Sequence, residues 1–338
     1  MTPSTSAPRK KFSVPSSKQD ELLSAQVAYF MHLEEAKLSK KDKIKRFFWN
    51  PKDQSIFGRS PSSWSKIGLF YLIFYGILAA LVAICMWVFF QTLDPRIPKW
   101  RLERSIIGTN PGLGFRPMPL ETNVESSLIW FQGSNKTNYM KWVNNLMGFL
   151  EKYYVPGKAE KGTATIKRCS FTQYPQENEV CDFDVRLWGP CSPDKYFEYH
   201  RNAPCIFLKL NRIYGWVPEY FNDTNNLPKE MPKQLVDHIR LNVSQHELNT
   251  VWISCEGENP ADVEYLGPIT YYPKIQGFPG YYYPYKNAEG YLSPLVAVQF
   301  LRPVAGIVIN IECKAWAHNI KHKRTDKVGS VHFELLID

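Results

Sequence analysis

The chain has 338 residues, a formal net charge of +9, 44% hydrophobic residues and 14% aromatic residues. This composition excludes a polytopic membrane protein, which needs repeated apolar spans of about 20 residues, and it excludes a wholly disordered chain. The 25 prolines and 19 tyrosines favour a sheet-rich body over a mostly helical one.

Residues 1–66 form a basic segment, with thirteen Lys or Arg residues against six Asp or Glu residues. The first part of the segment is rich in Ser, Thr, Pro and Lys, a composition that buries little apolar surface. We therefore predict a cytoplasmic, largely disordered tail over 1–66 that faces the membrane surface. We expect no nucleic-acid partner, because the segment contains no folded nucleic-acid-binding motif.

Residues 67–90 form an apolar run of 24 residues that contains no charged residue and no Asn, Gln, Ser or Thr. As a helix the run would be about 36 Å long, against a hydrocarbon core of about 30 Å. A cleaved signal peptide has a shorter apolar region that lies nearer the N-terminus. The run therefore predicts one transmembrane signal-anchor helix in contact with lipid.

Small residues and two tyrosines lie within one half of this helix, whereas the other half is bulky. Helices associate in lipid by close packing, which small residues permit, so this half is the predicted contact with a partner helix. We call it the small-residue stripe. It consists of Gly68, Tyr71, Tyr75, Gly76, Ala79, Ala80 and Ala83.

The cysteines are distributed unevenly, with Cys85 inside the span and six after it. An even set in one compartment indicates a disulfide framework in oxidising space, and the spacings do not match paired zinc ligands. Six cysteines allow many pairings, among which short loops favour neighbours. That preference gives Cys169–Cys181 and Cys191–Cys205, which leaves Cys255–Cys313.

Three N-x-[ST] sequons predict N-glycosylation at Asn135, Asn222 and Asn242. All three follow the span, and residues 1–66 contain none. The basic residues that flank the span do not decide its orientation. The sequons and cysteines together predict a type II topology, with a cytoplasmic N-terminus and residues 91–338 outside the cell.

Beyond the span, a helical period over 136–154 gives way to alternating patterns over 183–187 and 307–313. Leu187 closes the first of these alternating segments, after Phe183 and Val185. Further strands are predicted at Ile206–Arg212, Val251–Cys255, Leu295–Leu301 and Val331–Ile337. We predict a mainly-β domain with long loops and one helix, arranged as an antiparallel sandwich with three disulfides.

Motifs for catalysis are scarce, since the chain contains no G-x-S-x-G, H-E-x-x-H or P-loop pattern. Asp182 and Asp184 form a D-x-D pair, which in a type II protein would suit a Golgi glycosyltransferase that holds a divalent metal. The same two residues also fit an exposed strand face. A further alternative is an adhesion or receptor ectodomain that uses the aromatic run Tyr281–Tyr285 as its contact surface.

Several longer segments resemble the β subunits of the Na,K-ATPase and H,K-ATPase family over nearly all of residues 47–338. The resemblance includes FFWNPKDQSIFGRSPSSWSKIGLFYLIFYG (47–76), NPGLG (110–114), FLEKY (149–153), LWGPC (187–191), PCIFLKLNRIYGWVPE (204–219) and YLSPLVAVQF (291–300). One departure is visible at Tyr282–Lys286, where a Tyr and a Gly of the family's YYPYYGK are missing.

The resemblance implies an immunoglobulin-like ectodomain, in which the first cysteine pairs with the second, the third with the fourth and the fifth with the sixth. It implies a non-catalytic subunit without cofactor or metal, which assembles with the catalytic α subunit of a P-type pump. Such subunits stabilise α, deliver it to the plasma membrane and modulate its K⁺ affinity. A small single-span regulatory subunit is a further partner that the resemblance implies.

Overall fold

The computed structural model describes residues 23–27, 29, 40–51, 54–119, 126–154, 165–186, 188–323 and 328–338. The chain divides between Thr92 and Leu93 into two compact units. Much of the predicted tail, namely residues 1–22, 28, 30–39 and 52–53, lies outside the described residues.

The N-terminal unit contains regular structure close to the membrane helix. Helix α1 (Lys40–Phe48) is followed by strands β1 (Trp49–Asn50) and β2 (Ser55–Ile56), which pair in an antiparallel hairpin. The Phe48 and Phe57 rings lie 5.1 Å apart in an edge-to-face contact. This ring contact joins helix α1 to the residues that follow β2.

Helix α2 (Pro61–Gln91) contains the predicted span and extends it at both ends. Pro61 occupies the first turn, where its missing N–H removes no helical hydrogen bond. Trp64 Nε1 donates a 2.8 Å hydrogen bond to the Ile56 carbonyl and so ties the helix to the hairpin. Among the described residues, α2 is the one helix long and apolar enough to cross a membrane.

The C-terminal unit is mainly β. Its strands are β3 (Leu113–Arg116), β4 (Leu128–Phe131), β5 (Thr165–Lys167), β6 (Glu179–Cys181), β7 (Cys205–Leu210), β8 (Thr250–Gly257), β9 (Ile269–Tyr272), β10 (Gly277–Pro279), β11 (Leu295–Phe300), β12 (Ile309–Trp316) and β13 (Ser330–Ile337). Its α-helices are α3 (Lys136–Tyr154), α4 (Lys233–Asn242) and α5 (Pro260–Leu266).

Two sheets form the body of this unit. One has five strands in the order β10-β8-β12-β13-β4, and the other has four in the order β3-β7-β11-β9. The Phe115 ring of β3 stacks on the Phe333 ring of β13 at 4.9 Å, so the two sheets share one core. The other face of the four-stranded sheet carries Phe207, which Trp188 and Phe197 cover.

Three predictions about this unit need correction. The described residues of this unit contain three α-helices rather than one. Of these, α4 packs with Leu235 and Ile239 into a second cluster that includes Trp252 and Trp316. The sheets are not wholly antiparallel, because β13 pairs with β4, and β5 with β6, in parallel. Parallel neighbours need a long crossover, and nearly the whole domain lies between β4 and β13.

The third correction concerns the segment that begins at Phe183, which forms no strand in its described residues. Phe183 and Val185 are buried, as the alternation implied. The Phe183 ring packs against Trp188 and Tyr282 rather than beside another strand. Alternating burial thus arises here from aromatic packing against an extended loop; Leu187 lies outside the described residues.

Three disulfides join the six ectodomain cysteines. The bonds are Cys169–Cys181, Cys191–Cys205 and Cys255–Cys313. Cys255 and Cys313 lie directly opposite each other on the central strands β8 and β12. Cys85, in the membrane helix, is a free thiol.

Candidate partner interface

The small-residue stripe of the membrane helix is exposed along its length. No residue of α2 is buried. A Cβ placed on Gly68 or Gly76 would meet no atom within 4 Å, so another backbone can approach closely there. The rings of Tyr71 and Tyr75 stack 5.9 Å apart and stand as a pair beside these glycines.

The opposite half of α2 is bulky and aromatic. Phe70 and Phe74 stack at 6.1 Å, and Ile77 and Leu81 continue the same half with exposures of 67% and 57%. These side chains hold no polar group that would need a partner inside a bilayer. The two halves of the helix therefore differ in shape, as expected if one meets protein and the other meets lipid.

The three sequon asparagines are exposed and lie at accessible positions. Asn222 lies in the loop before α4, and Asn242 is the last residue of α4. Arg240 Nε donates to the Thr224 carbonyl at 3.1 Å, which ties that loop to the helix. Glycans on both asparagines would extend from the side of the five-stranded sheet that α4 covers.

Asn135 has a structural role that the sequence analysis missed. It precedes α3, and its Oδ1 accepts hydrogen bonds from the backbone N–H groups of Thr137 at 3.1 Å and Asn138 at 3.3 Å. The side chain therefore caps the N-terminus of α3. An Asn directly before a helical period is the sequence signal that could have revealed this cap.

The first residues of the C-terminal unit are held by a distant loop. Arg96 Nη2 lies 3.3 Å from Glu289 Oε1, and Asn287 Nδ2 donates to the Arg96 carbonyl at 3.1 Å. Asp94 Oδ1 accepts from the Arg96 N–H at 2.7 Å and stiffens the segment itself. Sequence reasoning gave no sign of this contact, because the partners are far apart in the chain.

Three rings of the aromatic run Tyr281–Tyr285 pack in or against the core: Tyr282 is buried, and Tyr281 and Tyr283 are half-buried against it. Tyr282 is buried and donates a 2.7 Å hydrogen bond to the Asp182 carbonyl, and its burial raises the pKa of its phenol. Tyr283 packs edge to face on Trp216. A cleft of about 600 Å³ lies beside the run. The packing of Tyr281, Tyr282 and Tyr283 weakens the adhesion interpretation for these three rings, because a contact surface needs exposed rings.

The D-x-D pair does not form a metal site in the structure. Asp184 accepts two hydrogen bonds from the Arg186 guanidinium, at 2.9 and 3.0 Å, and this contact lowers the pKa of Asp184. Both carboxylate oxygens are thus engaged by a cation. The part of the chain that the structure describes contains no group of His, Cys, Asp or Glu residues able to hold a metal ion.

A group of cations that sequence reasoning missed lies at one edge of the four-stranded sheet. We call Arg116, Lys152, Lys209 and Arg212 the basic cluster. Desolvation of half-buried Lys209, together with repulsion from the other three, lowers the pKa of Lys209 to about 8. These residues come from β3, α3 and the end of β7, so only the fold brings them together.

Comparison with known proteins gives consistent matches along most of the chain. The family model described as "Sodium / potassium ATPase beta chain" matches residues 34–333. The sodium/potassium-transporting ATPase subunit beta-2 of Drosophila melanogaster is 58% identical over 88% of this chain and 93% of its own length. The Drosophila beta-1 subunit is 42% identical over 89% of this chain and 94% of its own length. The human beta-2 subunit is 29% identical over 87% of this chain and 93% of its own length.

Proposed function

Because the chain belongs to the sodium/potassium ATPase β-chain family, we propose that its small-residue stripe binds a membrane helix of the catalytic α subunit. The chain is a non-catalytic accessory subunit of the pump and a single-pass type II protein of the plasma membrane. ATP hydrolysis and ion transport belong to the partner.

The two-sided shape of α2 is the observation that carries this proposal. Gly76 leaves the helix backbone open, and the stacked Tyr71 and Tyr75 rings place two hydroxyls on the same side. In hydrocarbon a hydroxyl is stabilised by a protein partner, and a small residue allows that partner to come near. The bulky half remains in contact with lipid.

The ectodomain supports stabilisation and delivery of α. Its two sheets with a shared core are consistent with an immunoglobulin-like sandwich, which we propose as the fold class of residues 93–338. Three disulfides and glycans on Asn135, Asn222 and Asn242 would keep this domain folded outside the cell. We propose that the folded domain allows the pump to leave the endoplasmic reticulum and modulates its K⁺ affinity.

Co-purification tests the helix contact. Gly76→Leu fills the open site, and Tyr75→Ala removes one stacked ring and hydroxyl. We expect each variant to lower the amount of α recovered with the tagged chain from membranes solubilised in mild detergent. Ile77→Leu and Leu81→Ile are matched controls on the bulky half, and we expect them to recover α at the wild-type level.

The result that contradicts the contact is an equal effect from both halves of the helix. In that case the ectodomain alone holds the complex, or the contact lies elsewhere on α2. Every variant is compared at equal expression, so that loss of α is not confused with loss of the chain itself.

Gel mobility tests the proposed glycans. Asn222→Gln and Asn242→Gln are each expected to shift the mature chain by one glycan, and enzymatic deglycosylation removes the difference. Both asparagines are exposed in the structure, so the folded domain leaves room for the sugar. An unshifted variant identifies a sequon that is not used.

A further inference from the structure

The basic cluster brings four cations to one edge of the ectodomain. Residues 91–338 carry a formal net charge of only +2, so this concentration is local. Within the residues that the structure describes, none of the four forms an ion pair with a carboxylate. Like charges held together in a folded domain destabilise it unless an opposite charge is supplied.

Aromatic rings lie against three of these cations, Arg116, Lys152 and Arg212. The Arg212 guanidinium lies 5.1 Å from the ring centres of both Tyr285 and Tyr291. Its Nε donates to Ser293 Oγ at 2.8 Å and its Nη2 to the Tyr291 carbonyl at 3.3 Å, which fixes the plane of the group. A guanidinium has five N–H donors, so these two contacts do not use all of them. Lys152 lies 5.8 Å from the Phe149 ring centre. The positive charges are therefore positioned before any ligand arrives.

The space beside the cluster can accept a ligand. A cleft of about 450 Å³ is lined by Lys152, Arg212, Tyr285 and Tyr291. Glu289 also lines it, but this carboxylate is paired with Arg96. Lys209 does not line the cleft itself, but its charge acts on Arg212 and Lys152, which do. Gly114 lies directly opposite Lys209 on the neighbouring strand and carries no side chain that would cover the lysine.

We propose that the basic cluster, with the rings of Tyr285 and Tyr291, is a binding site for the sulfate groups of an extracellular acidic oligosaccharide. Guanidinium and ammonium groups bind sulfate oxygens by charge-assisted hydrogen bonds, and tyrosine faces pack against sugar rings. The cleft volume lies in the range of small-ligand sites and holds one or two sugar rings. The type II topology places this site outside the cell, where sulfated polysaccharides occur.

Calorimetry on the purified, full-length pump complex tests the site. The probe is a heparin-derived, fully sulfated hexasaccharide, and the comparison ligand is the same hexasaccharide after complete desulfation. We expect the sulfated probe to bind and its affinity to fall as salt is raised, because the contacts are ionic. Arg212→Gln is expected to weaken binding about tenfold, the size of one charge-assisted hydrogen bond. Lys209→Met removes a neighbouring positive charge and is also expected to weaken binding, by a smaller factor.

Lys233→Met is the matched control, since Lys233 is an exposed lysine on α4 and lies outside the cluster. It is expected to bind the probe as the wild type does. Recovery of the α subunit with each variant shows that the chain has folded.

The number of protons taken up on binding distinguishes a direct effect of the ligand on the basic cluster from a purely structural effect of the mutation. Arg116, Lys152 and Arg212 face Lys209 from their separate elements, and a bound sulfate opposes their repulsion. Binding at pH 8 should therefore take up protons onto Lys209, seen as a dependence of the heat on the buffer's ionisation enthalpy. Lys209→Met should reduce this uptake.

Three outcomes would overturn the proposal. One is equal binding of the sulfated and desulfated probes, and another is equal binding by wild type and Lys209→Met. The third is a complex that does not bind the hexasaccharide but binds phosphatidylserine vesicles, with vesicle binding lost when the cluster is mutated. That result would make the site a lipid contact.

Discussion

At the scale of single residues, Lys209 shows how the fold changes the chemistry of a side chain. It lies on β7 between Gly114 of β3 and Leu295 of β11. Half-burial disfavours its charged form, and Arg212, Lys152 and Arg116 add repulsion, so its pKa falls from 10.5 to about 8. A protonated Lys209 therefore destabilises the folded domain.

The pH dependence of stability tests this effect. In the unfolded chain Lys209 keeps its proton up to about pH 10.5, whereas in the folded chain it loses the proton near pH 8. Between these values the unfolded chain binds more protons, so the free energy of unfolding rises with pH. Below pH 8 the destabilisation is fully present. We expect Lys209→Met to raise the unfolding midpoint at pH 7, with a gain that shrinks toward pH 10.5.

The measurement is the temperature at which the β chain of the purified complex becomes sensitive to protease, followed with an antibody to this chain. Lys233→Met serves as the reference for loss of a surface charge. Identical midpoints for wild type and Lys209→Met at pH 7 would contradict the expected repulsion.

At the scale of elements, helix α3 depends on a residue that also belongs to a sequon. Asn135 Oδ1 accepts from the backbone N–H groups of Thr137 and Asn138 in the first turn of the helix. The Asn138 N–H also donates to the Asn135 carbonyl at 3.0 Å. The helix buries Val143, Leu146 and Leu150 completely against the ectodomain core. Loss of the N-cap should therefore weaken the packing of the helix against the core as well as its first turn.

Two variants separate the cap from the glycan. Asn135→Gln removes the sequon and replaces a short capping side chain by a longer one, whereas Thr137→Ala removes the sequon and keeps Asn135. We expect both to lose the same glycan on a gel. Only Asn135→Gln should lower stability, by about 1 kcal/mol, the usual contribution of an N-cap. Equal protease-detected unfolding midpoints for the two variants would show that the cap contributes nothing.

At the scale of the whole molecule, the Cys255–Cys313 bond joins the central strands of the five-stranded sheet. It closes a loop with a sequence separation of 58, for which chain entropy predicts a stabilisation of about 4 kcal/mol. That amount is a large fraction of the stability of an ordinary domain. The fold of the ectodomain, and with it the delivery of the pump, should depend on this bond.

Surface labelling tests that dependence. Cys313→Ser breaks the bond and places a hydroxyl at a fully buried position. We expect the variant β chain and its α subunit to be retained in the endoplasmic reticulum, so that little pump reaches the cell surface. Cys85→Ser is the control, because Cys85 is a free thiol in the membrane helix and is expected to leave surface delivery unchanged. Normal delivery of the Cys313→Ser variant would contradict the proposed escort role.

The membrane helix, helix α3 and five of the eleven strands in the described part of the ectodomain (β7, β8, β11, β12 and β13) were predictable, because each depends on a local pattern. An uncharged run of 24 residues and a helical period over 136–154 carry their own signals. The predictions of a single helix and wholly antiparallel sheets were wrong. Helix α4 is short, and its burial depends on Trp252 and Trp316, which are distant in sequence.

The sequence by itself therefore determined the membrane anchor, the even set of ectodomain cysteines and the family to which the chain belongs. Only the tertiary structure decided the parallel pairing of β4 with β13, the ion pair between Arg96 and Glu289, and the basic cluster. The physical reason is the range of the interactions. Hydrophobic length and periodicity act between neighbours in the chain, whereas strand partners and charge repulsion depend on residues that meet only after folding.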